Sequence, residues 1–217
     1  GFQTLSNKWI PPSDFEIEDV RKNIGNSYWS INNRILTKSI EKLNIDVNAI
    51  AKGFGVDQIS LLLLKSGFTQ FLVEIGGEVY CHGFKKNNLP WQIGIELPSF
   101  KNREIESIVK LTNFAMATSG NYRNYYIHEG EIFSHTINPY DGYPVKHNLV
   151  SATVVAPTCL EADALATSLM VMGSKRGIEL INQLENVECL LFERLKDGSL
   201  YKIKSNGFNK FTEALID

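Results

Sequence analysis

The chain has 217 residues, 43% hydrophobic and 21% charged, with 22 Lys plus Arg against 24 Asp plus Glu and a formal net charge of −2. That is a globular composition, long enough to bury a real core as one domain or two closely fused ones. It excludes a disordered chain, gives no electrostatic case for nucleic acid or an anionic membrane surface, and contains no apolar run near the ~20 residues that span a bilayer.

Three cysteines, Cys81, Cys159 and Cys189, are widely spaced without a C-x-x-C pair, so buried free thiols are expected rather than a disulfide framework or zinc cluster. The chain starts at Gly1 with no signal peptide or lipid-attachment cysteine in view, which reads as a processed or cut chain.

In chain order, Pro11-Pro12 makes an extended entry, and Ser13 caps a helix with an acidic first turn (Asp14, Glu16) that runs through Val20 and Ile24 to Gly25. Tyr28 to Thr37 alternates around Asn32-Asn33 as a hairpin or bent strand. From Leu43 a short strand is expected to lead into a helix ending at Gly67. The small residues Ala51, Gly53 and Gly55 open that helix, leaving exposed N–H groups beside Lys52 where a phosphate could sit. The competing reading is a snorkelling lysine with glycines serving close packing.

Thr69 to Tyr80 reads as an apolar strand bulged at Gly76-Gly77, with Glu74 and Glu78 on either side given no catalytic role. Strands follow at 91–96 and 105–111, around the polar loop Pro98 to Arg103. Thr118, Ser119 and Gly120 read as a structural turn, since G-x-S-x-G is absent. A Glu129-Gly130 turn leads to a strand over Glu131 to Ile137, and His135 lies where that strand meets the turn Asn138 to Pro144. His82, His128 and His147 are expected to face solvent.

Ser151 to Gly173 reads as a buried strand, a turn and a helix beginning at Cys159. Thr158 and Glu161 have capping-box spacing. Asp163 and Thr167 then fall one turn apart on one face, among the small residues Ala162, Ala164 and Ala166. A carboxylate, a hydroxyl and nearby carbonyls are hard oxygen ligands suited to Mg²⁺ or Ca²⁺, although Asp-x-x-x-Thr alone is more often solvated or capping. Beyond it come a helix over Ser174 to Leu184, a hairpin of Val187 to Arg194 with Leu200 to Lys204, and a tail.

Four blocks stand in fixed order: IDVNAIAKGFGVD (45–57), FLVEIGGEVYCHG (71–83), ATSGNYRNYY with SHTINPYDGYPV (117–145), and VSATVVAPTCLEADALATSLMVMG (150–173). Together they resemble the FAD:protein FMN transferases of the ApbE type, over about Tyr28 to Gly173. The resemblance implies a Mg²⁺-dependent enzyme that cleaves FAD, joins FMN to a threonine or serine hydroxyl of an acceptor flavoprotein subunit and releases AMP. It places metal ligands at Asp163, Thr167 and the main-chain oxygens of Ala49 and Ala166. It places FAD contacts at Asp46, Lys52 and Ile137, and a general base at His135. It further implies that residues 1–217 are the C-terminal catalytic, metal-site portion of such a protein, without the family's usual N-terminal portion, and that the protein works on the periplasmic side of the cell envelope. Asn48 stands where a glycine is more usual.

The expected fold class is α+β, with antiparallel or mixed sheets and helices packed on one side, because hairpins outnumber helices and no βαβ period repeats. A Mg²⁺-dependent FAD pyrophosphatase and a non-catalytic flavin-binding remnant are the alternative functions.

Overall fold

A computed structural model describes residues 11–99, 104–121, 125–128 and 131–212. The chain divides into two compact units, one of residues 1–46 with 124–146 and the other of residues 47–123 with 147–217.

The first unit opens with helix α1 (Asp14–Arg21), closed by the full capping box of Ser13 and Glu16: Ser13 Oγ accepts from the Glu16 N–H at 3.3 Å and Glu16 Oε2 accepts from the Ser13 N–H at 2.8 Å. The helix stops earlier than the expected Gly25. No α1 residue is buried, and the N–H groups of Asn23 and Ile24 turn back on the carbonyls of Val20 and Arg21, three residues away, so the last turn tightens and ends. Strands β1 (Trp29–Asn32) and β2 (Ile35–Lys38) form the expected hairpin. Its turn residues are Asn33 and Arg34, both at positive φ, one position beyond the Asn-Asn pair.

The short strand expected from Leu43, at the end of the first unit's opening segment, does not form. In the second unit, Ile50 and Ala51 already donate to the Val47 carbonyl, which commits this backbone to a turn ahead of α2 (Ala51–Lys65). The helix ends as expected, with Gly67 at φ 86°. The single bulged strand over 69–80 is in fact a hairpin, β3 (Phe71–Ile75) and β4 (Glu78–His82), because two adjacent glycines at φ 63° and 101° make a two-residue turn whose twist matches the strands. Strands β5 (Trp91–Glu96) and β6 (Ile105–Leu111) pair with each other as expected. Thr118 and Ser119 lie in strand β7 (Phe114–Gly120) rather than in a turn, since ladder pairing fixes their backbone as extended.

Back in the first unit, β8 (Tyr125–His128) pairs with β9 (Glu131–Ser134). β9 ends three residues before Ile137, and the expected Glu129-Gly130 turn lies outside the described residues, as does most of the loop Pro98 to Arg103. The second unit is completed by β10 (Leu149–Ala156), α3 (Cys159–Met172), α4 (Ser174–Ile181), β11 (Glu188–Arg194) and β12 (Leu200–Lys204).

The fold is α+β. Its centre is an antiparallel sheet of six strands in the order β12-β11-β10-β7-β4-β3, with all eight residues of β10 buried. One face packs on the helices through Val56, Val73, Ala162, Ala166 and Leu169. The other packs under β5 and β6 through Val79, Met116, Val109 and Phe192. The expected tail closes this second core: Phe208 and Phe211 are buried in a 3-10 turn, because two aromatic rings three residues apart both reach the sheet. His82 and His147 do not face solvent freely. His82 stacks on Phe71 with centroids 5.3 Å apart, and His147 Nε2 lies 3.0 Å from the Met170 carbonyl oxygen.

Candidate active site

The site in the second unit is built where α2 and α3 cross. Thr158 caps α3 as predicted, its Oγ1 accepting from the Glu161 N–H at 3.3 Å. Two further N–H groups of that helix end are satisfied from another helix: Asp57 Oδ1 and Oδ2 accept from Cys159 and Leu160 at 2.8 and 2.9 Å. In return, Asp163 Oδ2 on α3 accepts from the Gly53 N–H of α2 at 3.0 Å. Each helix thus supplies a carboxylate to the other's N-terminal N–H groups, where the helix dipole favours negative charge.

Gly53 makes the crossing possible. A Cβ there would stand 2.4 Å from the Cys159 carbonyl oxygen and 2.9 Å from Asp163 Cβ. The close-packing reading of this glycine therefore holds, and it coexists with a role for its neighbour. Lys52 Nζ lies 3.8 Å from Asp163 Oδ1 and pairs more closely still with Glu78 Oε1. Lys52 is 43% exposed, whereas the Glu78 side chain is 2% exposed, with Oε2 buried and without a hydrogen-bond partner. Burial pushes the Glu78 carboxyl above its usual pKa, Lys52 pulls it back and Asp163 pushes it further up.

Sequence reasoning set Glu78 aside. The signal that could have found it is the hairpin: once Gly76-Gly77 is a turn, Glu78 pairs with Ile75 and shares the helix-side face with Val73 and Phe71. Asp57 was missed as well, since its partners lie 102 and 103 positions away.

Thr167 follows Asp163 by one turn and is half-buried, its Oγ1 lying 3.0 Å from Ser119 Oγ on β7. Ala166 is fully buried. Ala49 precedes the α2 N-cap and so lies outside the helix, and the Gly53 N–H, which has no intrahelical acceptor at this helix start, is the one that Asp163 takes. The second unit thus joins Lys52 to Asp163 directly and aligns Thr167 along the same helix. Asp46, His135 and Ile137 belong to the first unit. There Asp46 lines a cleft of about 1140 Å³ with Trp29, Lys42 and Tyr140, His135 follows β9 half-buried, and Ile137 bridges to Pro144.

Among the described residues no group of three or more His, Cys, Asp or Glu side chains could hold a metal. A cation at Asp163 would need hydroxyl and carbonyl oxygens as its other donors. That oxygen-only set fits a hard cation such as Mg²⁺ and not zinc.

Residues 1–191 match the ApbE family. The chain is 36% identical over 211 residues to the FAD:protein FMN transferase of Vibrio cholerae, covering 97% of this chain and 63% of that protein. It is 40% identical over 179 residues to the protein of the same name from Haemophilus influenzae, covering 82% and 51%. Among solved structures it is similar to the flavin transferase ApbE from Vibrio cholerae, with a TM-score of 0.82, 35% identity and coverage of 95% and 65%. It is also similar to the apo form of the Pseudomonas stutzeri flavinyl transferase ApbE, with a TM-score of 0.85, 33% identity and coverage of 100% and 66%. The chain spans between half and two thirds of these proteins. On a match that runs through most of its length, in sequence and in fold, the chain belongs to the ApbE family.

Proposed function

We propose that this chain carries the metal-binding and phosphate-handling part of an enzyme that transfers FMN from FAD to the hydroxyl of a threonine or serine on an acceptor protein. In that reaction the hydroxyl oxygen bonds to the phosphorus of the FMN half, the bond to the bridging oxygen breaks, and AMP leaves with that oxygen. The names of the relatives support the reading. The observation that carries it is the closure of Asp163 onto Gly53, which holds a buried carboxylate beside the Lys52 ammonium at a helix N-terminus.

Asp163 and Thr167, with the carbonyl oxygens of Ala49 and Ala166, would hold Mg²⁺. The ion, when bound, supplies positive charge against the pyrophosphate and its leaving oxygen. Lys52 is 43% exposed and so can reach a phosphate oxygen. Asp46 and Ile137 contact FAD, and the cleft beside Asp46 offers the aromatic walls Trp29 and Tyr140. His135 takes the proton of the acceptor hydroxyl. The acceptor is a flavoprotein subunit on the periplasmic side of the cell envelope.

The test is to incubate the protein with FAD, Mg²⁺ and a domain bearing an acceptor threonine, and to follow the acceptor's mass. An FMN adduct that requires Mg²⁺ and Asp163 is expected. An unmodified acceptor from the full-length protein would sink the proposal, and release of FMN and AMP at a rate indifferent to the acceptor would replace it with a pyrophosphatase.

A further inference from the structure

Glu78 has no part in the roles above. It begins β4 directly after the Gly76-Gly77 turn, and Lys52 reaches it across that turn. A Cβ on Gly76 would stand 3.3 Å from Lys52 Cδ, so the bare turn leaves room for the lysine stem. The same ammonium is 3.8 Å from Asp163 Oδ1. Lys52 therefore has two buried carboxylates within reach and lies closer to Glu78.

Which of the two holds the ammonium decides what Asp163 can bind. Its Oδ2 is engaged by the Gly53 N–H, which leaves Oδ1 as the oxygen to offer a cation, and Oδ1 is the one facing Lys52. An ammonium lodged against Oδ1 would occupy that lone pair and repel a divalent ion. A buried ion pair adds little net stability, because desolvation offsets attraction. Its clearest consequence here is where it parks the charge.

We infer that Glu78 is a positioning residue that draws the Lys52 ammonium away from Asp163 Oδ1 and so keeps that oxygen open to a divalent cation. The inference rests on the metal reading of Asp163 proposed above. It calls for no new contact between Glu78 and the cation. The unpartnered Oε2 is consistent with an acid held for the sake of its other oxygen.

The test uses Mn²⁺ as an EPR-visible probe on the flavin-free protein. Glu78→Gln, isosteric and neutral, is expected to weaken Mn²⁺ binding about tenfold as Lys52 swings to Asp163. Lys52→Met in the same chain is expected to restore it, which a loss of structural support would not do. In a Lys52→Met background the Glu78→Gln change should leave affinity unmoved. Should the single amide variant fail to fold, the double variant Lys52→Met with Glu78→Gln still serves, since it removes both charges of the pair and is expected to bind Mn²⁺ like the parent.

A folded Glu78→Gln protein that binds Mn²⁺ like the parent overturns the inference, as does an affinity that still falls when Lys52 is already methionine. Either result leaves the metal reading standing so long as Asp163→Asn abolishes binding. If Asp163→Asn binds Mn²⁺ normally, the metal reading fails and the inference fails with it.

Discussion

The N–H of Gly53 donates to Oδ2 of Asp163 at 3.0 Å across 110 positions of sequence. That bond lets a helix-terminal carboxylate do two jobs. It satisfies an N–H at the start of α2, and it holds its second oxygen toward Lys52. Asp57 reciprocates on α3, so the two helix starts are fastened to each other at the place where the candidate ligands collect.

Gly53→Ala is expected to destabilise the second unit by about 2–3 kcal/mol, because its Cβ would stand 2.4 Å from backbone that cannot rotate away. Gly67→Ala is the control. Its φ is positive but nothing stands within 4 Å, so a cost of about 1 kcal/mol is expected. Urea denaturation compares the two, and equal midpoints would show that the helices part freely.

Asp57→Ala removes two charge-assisted bonds at the α3 N-terminus, while Thr158 keeps its own. A loss of about 1–2 kcal/mol is expected, with Asp57→Asn between that and the parent. Thermal melts of the three proteins check this, and an unchanged melting temperature for Asp57→Ala would assign the capping to Thr158 alone.

What the sequence made legible was local. The Ser13 cap, the start of α3 at Cys159 and the one-turn spacing of Asp163 and Thr167 along that helix each depend on residues within four positions of one another. The hairpin over Val187 to Lys204 was equally readable from its Lys196 to Ser199 turn. Gly76-Gly77 is local too, yet bulge and turn share one composition, and only pairing distinguishes them. Asp57 and Glu78 were illegible for another reason. Each owes its role to a partner on a distant element, and an isolated acid carries no mark of which N–H group or ammonium it will meet. The buried Phe208 and Phe211 belong to this second kind.

Glu78 also gives the protein a pH dependence of unusual sign for an acid. Its pKa is raised by burial, so just above the usual carboxylate value of 4.5 the folded chain keeps a proton that the unfolded chain has released. Stability from this group therefore falls as pH rises through that window, up to the raised folded value. Lys52 moderates the effect. In chelator-treated protein, Glu78→Gln should gain stability relative to the parent over the same rise in pH. Parallel stability curves for the two proteins would exclude it.

The three thiols should be inert in the native state. Cys81, Cys159 and Cys189 are fully buried; burial pushes Cys81 and Cys189 up to about 12 and raises Cys159 further. With so little thiolate at pH 8, labelling by a disulfide reagent should proceed only as fast as the chain opens, and all three should react at once in denaturant. A native thiol that reacts at the rate of a free cysteine would place its strand, or for Cys159 the start of α3, at the surface.

Thr167 allows the hydroxyl to be separated from the shape. Its Oγ1 sits 3.0 Å from Ser119 Oγ, so a purely structural hydroxyl would be worth about 1 kcal/mol and would be lost equally through Ser119→Ala. A ligand hydroxyl would behave differently. Thr167→Ser is then expected to keep Mn²⁺ affinity, Thr167→Val to lower it about tenfold at similar volume, and Ser119→Ala to lower stability with affinity nearly intact. Equal affinities for the serine and valine variants would remove Thr167 from the ligand set and leave it as the strap between α3 and β7.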